Sequence, residues 1–227
     1  MLIIGLDDTD MLNTRGTGHL ARTIADALSD TYPLLGVTRH QLLLHPDIPC
    51  TKKNSCAAIH LDAPADAAAH VLDTVRTLML ADFVPGSDPG LCVAANVAPA
   101  VTAFGRRAQR EIVTRASARD VATACDLPLL GLGGDESGII GALSAVGLAV
   151  GGEDGRYVQV GRIRELGGLL PVTALLHAGI AAVQTMDGQP VSEGLVNADR
   201  LRPARRGGRP IAVVEWQDDH WQPLKLD

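Results

Sequence analysis

Apolar and polar positions alternate along this chain in segments that each fit a helix or a strand. The chain opens on an unbroken apolar run, Leu2-Ile3-Ile4-Gly5-Leu6, read as a buried strand. It ends in a tip of three carboxylates, Asp7-Asp8-Thr9-Asp10, followed by the glycine-punctuated Thr14–His19. From Gly18 to about Asp30 the apolar positions Leu20, Ile24, Ala27 and Leu28 share one helical face. Val37–Leu44 predicts a second strand. His45-Pro46-Asp47-Ile48-Pro49 then enforces an extended connection, because each proline restricts the residue before it. Cys56–Leu61 reads as a buried strand. Pro64 starts a helix carrying the stripe Ala68, Val71, Leu72, Val75, Leu78 and Met79.

Beyond it, Phe83–Gly90 is dense in turn formers, and Leu91–Val97 fits a strand. Val101–Arg115 predicts one helix with a basic face, followed by a second near Ser117. Ser117 and Asp120 there have capping-box spacing. Leu127–Leu132 fits a short strand. Ile139–Gly147, small and apolar throughout, predicts a helix buried on most sides. The rest reads as mostly β: a strand over Arg156–Ile163, a short helix at Thr173–His177, and a hairpin that starts with Ile180–Met186 and turns tightly at Asp187-Gly188. A second hairpin follows, whose arms are Ile211–Trp216 and Trp221–Leu226.

Composition narrows the class. In 227 residues, 46% are hydrophobic but only 3% aromatic, so the core rests on Leu, Ile, Val and Ala. A net charge of −6 excludes wholesale nucleic-acid binding and leaves only local contact. One local candidate is the segment containing Arg200, Arg202, Arg205, Arg206 and Arg209, which reads equally as a solvated basic loop. The four cysteines, Cys50, Cys56, Cys92 and Cys125, form no C-x-x-C pair. They indicate neither a zinc site nor a disulfide scaffold, and a cytoplasmic protein with reduced thiols is expected. The N-terminal apolar run is far shorter than the roughly twenty residues of a membrane span, so no membrane partner is expected.

Three stretches carry candidate chemistry. The carboxylates at Asp7, Asp8 and Asp10 need a cation, hydrogen bonds or water to coexist; an exposed acidic turn that caps a helix is the plainer reading. Gly16-Thr17-Gly18 opens a helix and suits a phosphate beside that cation, or simply a tight turn. Gly131–Gly138 opens the buried helix in the same way, with Asp135 and Glu136 favouring a metal–phosphate complex over a bare phosphate. Thr51-Lys52-Lys53-Asn54-Ser55 fits a polyphosphate grip or a solvated loop. No G-x-S-x-G and no P-loop occur. Leu12 stands where the D-x-D-x-[TV] phosphatase motif has Thr or Val. The parts that remain fit magnesium–nucleotide binding and phosphoryl chemistry, which needs little beyond positioning and charge neutralisation.

Four ordered stretches resemble one family. Gly5-Leu6-Asp7-Asp8-Thr9-Asp10 with Arg15-Gly16 resembles the start of the archaeal tRNA-Ile 2-agmatinylcytidine synthetases, which use ATP to attach agmatine to an anticodon cytidine. His45–Pro49 with Lys52-Lys53-Asn54 resembles that family's N-P-x-I-P segment and following loop. Ser87-Asp88-Pro89-Gly90 resembles its [TS]-[ND]-P-G turn, and Gly138–Gly147 its G-[LI]-I-G-A-L-A-A-[IV]-G helix.

The resemblance implies an α+β fold. A kinase-like α/β region over residues 1–165 would contain a ferredoxin-like portion at about 56–130, and a β-rich C-terminal segment would cover 166–227. It implies ATP and magnesium as cofactors, with Asp7, Asp8 and Asp10 as metal ligands. Those three and His19 form the expected catalytic set. His19 stands where the family has a threonine linked to phosphorylation, and reads either as a phosphate acceptor or base or as an ordinary helix-start histidine. Thr9, Arg15, Gly16, Thr17, Gly18, Lys52, Lys53, Asn54 and Gly138 are the expected nucleotide contacts. The family's OB-fold and zinc ribbon are not found in the sequence, so tRNA modification by this chain alone is not expected. The leading expectation is a phosphotransferase-like enzyme whose small-molecule or RNA co-substrate is unidentified, with oligomerisation open. The alternative is a non-catalytic nucleotide-sensing or RNA-binding module.

Overall fold

The computed structural model describes residues 1–51 and 53–226. It forms two compact units, Met1–Gly151 and Gly152–Asp227. The first contains, in order, β1 (Leu2–Asp7), α1 (Thr17–Ser29), β2 (Leu34–Gln41), β3 (Ser55–Leu61), α2 (Ala68–Ala81), β4 (Gly90–Ala94), α3 (Pro99–Ala108), α4 (Arg115–Ala124), β5 (Leu129–Gly131) and α5 (Gly138–Val150). Its strands lie in the order β5-β4-β1-β3-β2, each neighbouring pair antiparallel. The first six elements make a β-α-β-β-α-β unit with sheet order β4-β1-β3-β2, the ferredoxin-like arrangement. That arrangement therefore runs over residues 2–94 rather than about 56–130. Its central strand is β1, hydrogen-bonded on both sides, so the acidic tip grows out of the middle of the sheet.

Both faces of this sheet are covered, which is why β1 reads as continuous hydrophobicity rather than alternation. Ile3 shares a core with Cys92, Ala94, Phe104 and residues of α5; α1 packs on β2 and β3 and α2 on β4. All of α5 except Ile140 and Val150 is buried. Glycines let it approach the strands main chain to main chain: a Cβ on Gly5 would stand 2.0 Å from the Ala142 carbonyl oxygen. The buried Ser144 is satisfied within the helix, its hydroxyl donating to the Ile140 carbonyl at 2.7 Å.

The helix expected over Val101–Arg115 is two helices. α3 ends at Ala108, and Thr114 starts α4 with a capping box in which its Oγ1 accepts from the Ser117 N–H at 3.1 Å and Ser117 Oγ accepts from the Thr114 N–H at 3.2 Å. The cap lies three residues before the expected Ser117. The thiols are free: Cys56 and Cys92 are buried, Cys50 is exposed, and burial pushes the Cys92 thiol up to about 12.

The second unit is β-rich. It holds β6 (Arg156–Gln159), β7 (Leu169–Pro171), α6 (Val172–His177), β8 (Ala182–Gln184), β9 (Leu195–Asn197), β10 (Ala204–Arg206), β11 (Arg209–Gln217) and β12 (His220–Pro223). The boundary falls at Gly151 rather than after residue 165, because β6 pairs with β10. The expected second hairpin is present as β11–β12, turning through Asp218 and Asp219, both at positive φ. Trp216 and Trp221 face each other across it, ring centroids 4.9 Å apart and edge to face. Val172, Leu175, Val183, Val196, Ala212 and Val214 form the centre of this unit's core. Among the described residues no helix is long and apolar enough to cross a membrane.

Candidate functional site at the end of the central strand

The tip that follows β1 divides its carboxylates. Asp7 turns inward: its Oδ2 lies against α5 where a Cβ on Gly141 would stand 1.7 Å away. Burial raises its pKa well above the ordinary range, with the Asp8 charge adding to the effect. Asp8 has a left-handed backbone, φ 52°, and its Oδ2 accepts from the Ser137 hydroxyl at 3.1 Å. Burial raises its pKa too, against the lowering effect of that hydrogen bond; the charges of Asp88, Asp10 and Asp135 raise it further.

Asp10 is held by two threonines. Its Oδ1 accepts from the Thr17 hydroxyl at 3.0 Å and the Thr17 N–H at 3.3 Å, and its Oδ2 accepts from the Thr51 hydroxyl at 3.2 Å. Asp10 thus serves as the acceptor at the start of α1 that the N-cap, Gly16, lacks a side chain to provide.

The other expected residues sort by what they touch. Thr9 is buried and its hydroxyl donates to that of Thr17 at 3.2 Å. Arg15 is a clamp: Nη1 donates to the Thr9 carbonyl at 3.0 Å, while Nε and Nη2 reach the carboxylate and carbonyl of Asp82. Gly16 and Gly18 have open space where a Cβ would stand, so neither is explained by packing. His19 is exposed on the first turn of α1, with Nδ1 3.3 Å from Arg22 Nη2. Lys52 lies outside the described residues, and Lys53 is exposed.

Asn54 closes its own loop, donating to the Leu43 carbonyl at 2.8 Å and accepting at its carbonyl from the Leu42 N–H at 2.9 Å. Gly138 is where three main-chain segments meet: a Cβ there would stand 2.3 Å from the Asp88 carbonyl oxygen, 2.6 Å from the Gly90 nitrogen and 3.0 Å from the Asp7 carbonyl oxygen. Its N–H already donates to the Asp88 carbonyl.

Ser137, Thr51 and Asp88 join the site without having been singled out from the sequence as site residues. Asp88 Oδ1 accepts from the Asp135 N–H at 2.6 Å, tying two acidic loops together beside Asp8. Each belongs to a stretch named above, Thr51–Ser55, Ser87–Gly90 or Gly131–Gly138, but its own side chain carried no separate signal. Asp135 and Glu136 are partly neutralised by Arg115 and Arg119 from α4. Among the described residues no group of three or more His, Cys, Asp or Glu side chains is gathered closely enough to hold a metal ion alone. The basic segment Arg200–Arg209 is not uniformly solvated: Arg205 is buried, while Arg200 and Arg209 are exposed.

No protein-family model matches the sequence, and no curated protein matches it. Among solved structures, the fold is similar to the crystal structure of apo TiaS, an agmatidine synthetase acting on an isoleucine tRNA, with TM-score 0.56 and 22% identity over 64% of this chain and 35% of that one. It is similar to a tRNA fluorescent labeling enzyme with TM-score 0.55 and 23% identity over 64% of this chain and 35% of that one. The crystal structure of a complex of TiaS with tRNA and ATP gives TM-score 0.55 and 23% identity over 64% of this chain. The chain spans 35–36% of the length of these structures. It therefore shares a partial TiaS-like fold.

Proposed function

We propose that residues 1–151 bind magnesium–ATP at the tip following β1 and use it in phosphoryl chemistry as part of a tRNA-modification-like, ATP-using enzyme. The observation that carries this reading is the placing of Asp10 at the start of α1, where Gly16 and Gly18 stay open and unexplained by packing, with Asp8 near it at the start of α5. The solved complex of TiaS with tRNA and ATP, of similar fold, supports the choice of nucleotide and of RNA as a class of co-substrate.

The residues fit magnesium in one specific way. The ion keeps several waters and takes one or two carboxylates, the nucleotide phosphates supplying the rest, so a preformed cage of three acids is not required. Asp8 and Asp10 would hold it, and the ion would neutralise charge on the transferring phosphoryl group. Asp8 is already destabilised in its ionised form, by burial first and by its acidic neighbours besides, so a divalent cation there would relieve repulsion. Asp7, turned under α5, positions the strand end rather than meeting the metal. The Gly18 N–H and the N-terminal end of the α1 dipole would face the phosphates, while the Thr17 N–H stays with Asp10.

Isothermal titration with ATP and magnesium tests this. Binding lost in a folded Asp8→Ala variant supports it; no binding by the wild type, or unchanged binding in the variant, defeats it. Binding without ATP consumption would instead make the unit a nucleotide-sensing module.

A further inference from the structure

The chain has only two phenylalanines, and they are used differently. Phe104 is buried in the core at 1% exposure, whereas Phe83 is 38% exposed. Two sets of contacts fix where Phe83 stands. Arg15 grips Asp82, the residue before it, through both side chain and main chain, and the same guanidinium holds the Thr9 carbonyl of the acidic tip. Its outer ring atoms come against Gly133: a Cβ there would stand 2.7 Å from Cε2 and 3.0 Å from Cζ of the ring. The next residues, Gly134 and Asp135, are those that pack on and bond to Asp88. Phe83 thus stands between the tip and the two loops whose acids, Asp88 and Asp135, bear on Asp8.

An aromatic ring left partly in water, pinned at its base and bordering a phosphate site, is a stacking surface. We infer that Phe83 is the platform for the base of the nucleotide, so that the ligand is a nucleoside polyphosphate rather than an inorganic polyphosphate. This rests on the magnesium–nucleotide reading above and adds the part of the ligand that is recognised. Only glycine at 133 lets the ring stand there, since any Cβ would meet Cε2 and Cζ. The ring's π-face accepts any base, and stacking of this kind is worth about 1–3 kcal/mol per base.

The test is titration of the full chain with magnesium–ATP and with magnesium–tripolyphosphate, for wild type, Phe83→Ala and Phe83→Trp. Phe83→Ala is expected to bind ATP about tenfold to a hundredfold more weakly and tripolyphosphate as the wild type does; Phe83→Trp is expected to retain ATP binding. Equal losses for both ligands, or none for ATP, overturn the platform and leave the phosphate site standing. A wild type that binds neither ligand overturns the nucleotide reading and the platform with it.

Discussion

Two glycines open the helices that begin beside the acidic tip, and they lead to opposite expectations. A Cβ on Gly138 would stand 2.3 Å from the Asp88 carbonyl oxygen and 2.6 Å from the Gly90 nitrogen, where ordinary contact begins at 3.4 Å. Either α5 or the start of β4 must move by about 1 Å, and close-packed interiors transmit such a shift rather than absorb it. Overpacking costs about 1–3 kcal/mol. Here both obstacles are main chain rather than flexible side chain, so Gly138→Ala is expected near the top of that range, about 3 kcal/mol, even though alanine is a better helix former by up to about 1 kcal/mol.

Gly18 has nothing within 4 Å of its missing Cβ. Gly18→Ala should therefore leave stability unchanged or raise it slightly, yet weaken magnesium–ATP binding if the proposed phosphate site lies in that open space. Urea unfolding followed by far-ultraviolet circular dichroism measures the first effect and calorimetric titration the second. A Gly138→Ala protein within about 0.5 kcal/mol of wild type would refute the packing argument, and so would equal destabilisation at both positions.

Other outcomes follow from the same geometry. Asp8→Asn keeps the acceptor for Ser137 and tolerates φ 52°. Because the folded pKa of Asp8 is raised, ionisation weakens the fold as pH rises from the unfolded value through the folded one. The variant should be the more stable above that interval and equal to wild type below about pH 4, measured without magnesium; a pH-independent difference contradicts the assignment. Arg15→Lys cannot bridge Thr9 and both acceptors of Asp82, so hydrogen exchange over residues 82–87 should quicken. Stability should fall by only about 1 kcal/mol, since the Asp82 carboxylate is over half exposed. Thr114→Ala should cost about 0.5–2 kcal/mol in thermal unfolding, while Asp120→Ala costs nothing measurable if the cap lies at Thr114.

Much of the framework was legible in the chain. β1, α1, β3 and α5 lie where apolar periodicity placed them, because each buries a face wide enough to dominate its local pattern. The break between α3 and α4 was not legible: Arg106, Arg107, Arg110 and Arg115 form one basic run with no glycine or proline between 109 and 114, and only the pairing of Thr114 with Ser117 shows where the second helix starts. The extent of the ferredoxin-like arrangement was hidden because it depends on which strands neighbour β1, a long-range fact. At the site, residue type revealed the carboxylates but not their directions. Asp7 and Asp8 are adjacent in sequence, yet strand alternation and a left-handed residue send one beneath α5 and the other to Ser137. Gly18 and Gly138 looked alike as helix-opening glycines and differ entirely in what surrounds them.

The pairing of Trp216 with Trp221 has an optical consequence. Both tryptophans of the chain sit in the β11–β12 hairpin of the second unit, so intrinsic fluorescence excited at the red edge reports on that unit alone. Two indoles 4.9 Å apart should couple their transitions into an exciton couplet that vanishes when the hairpin opens. The first unit, lacking any tryptophan, is silent in that window. A fluorescent nucleotide analogue could therefore be followed there without interference, while the hairpin's couplet independently monitors whether the other unit remains folded.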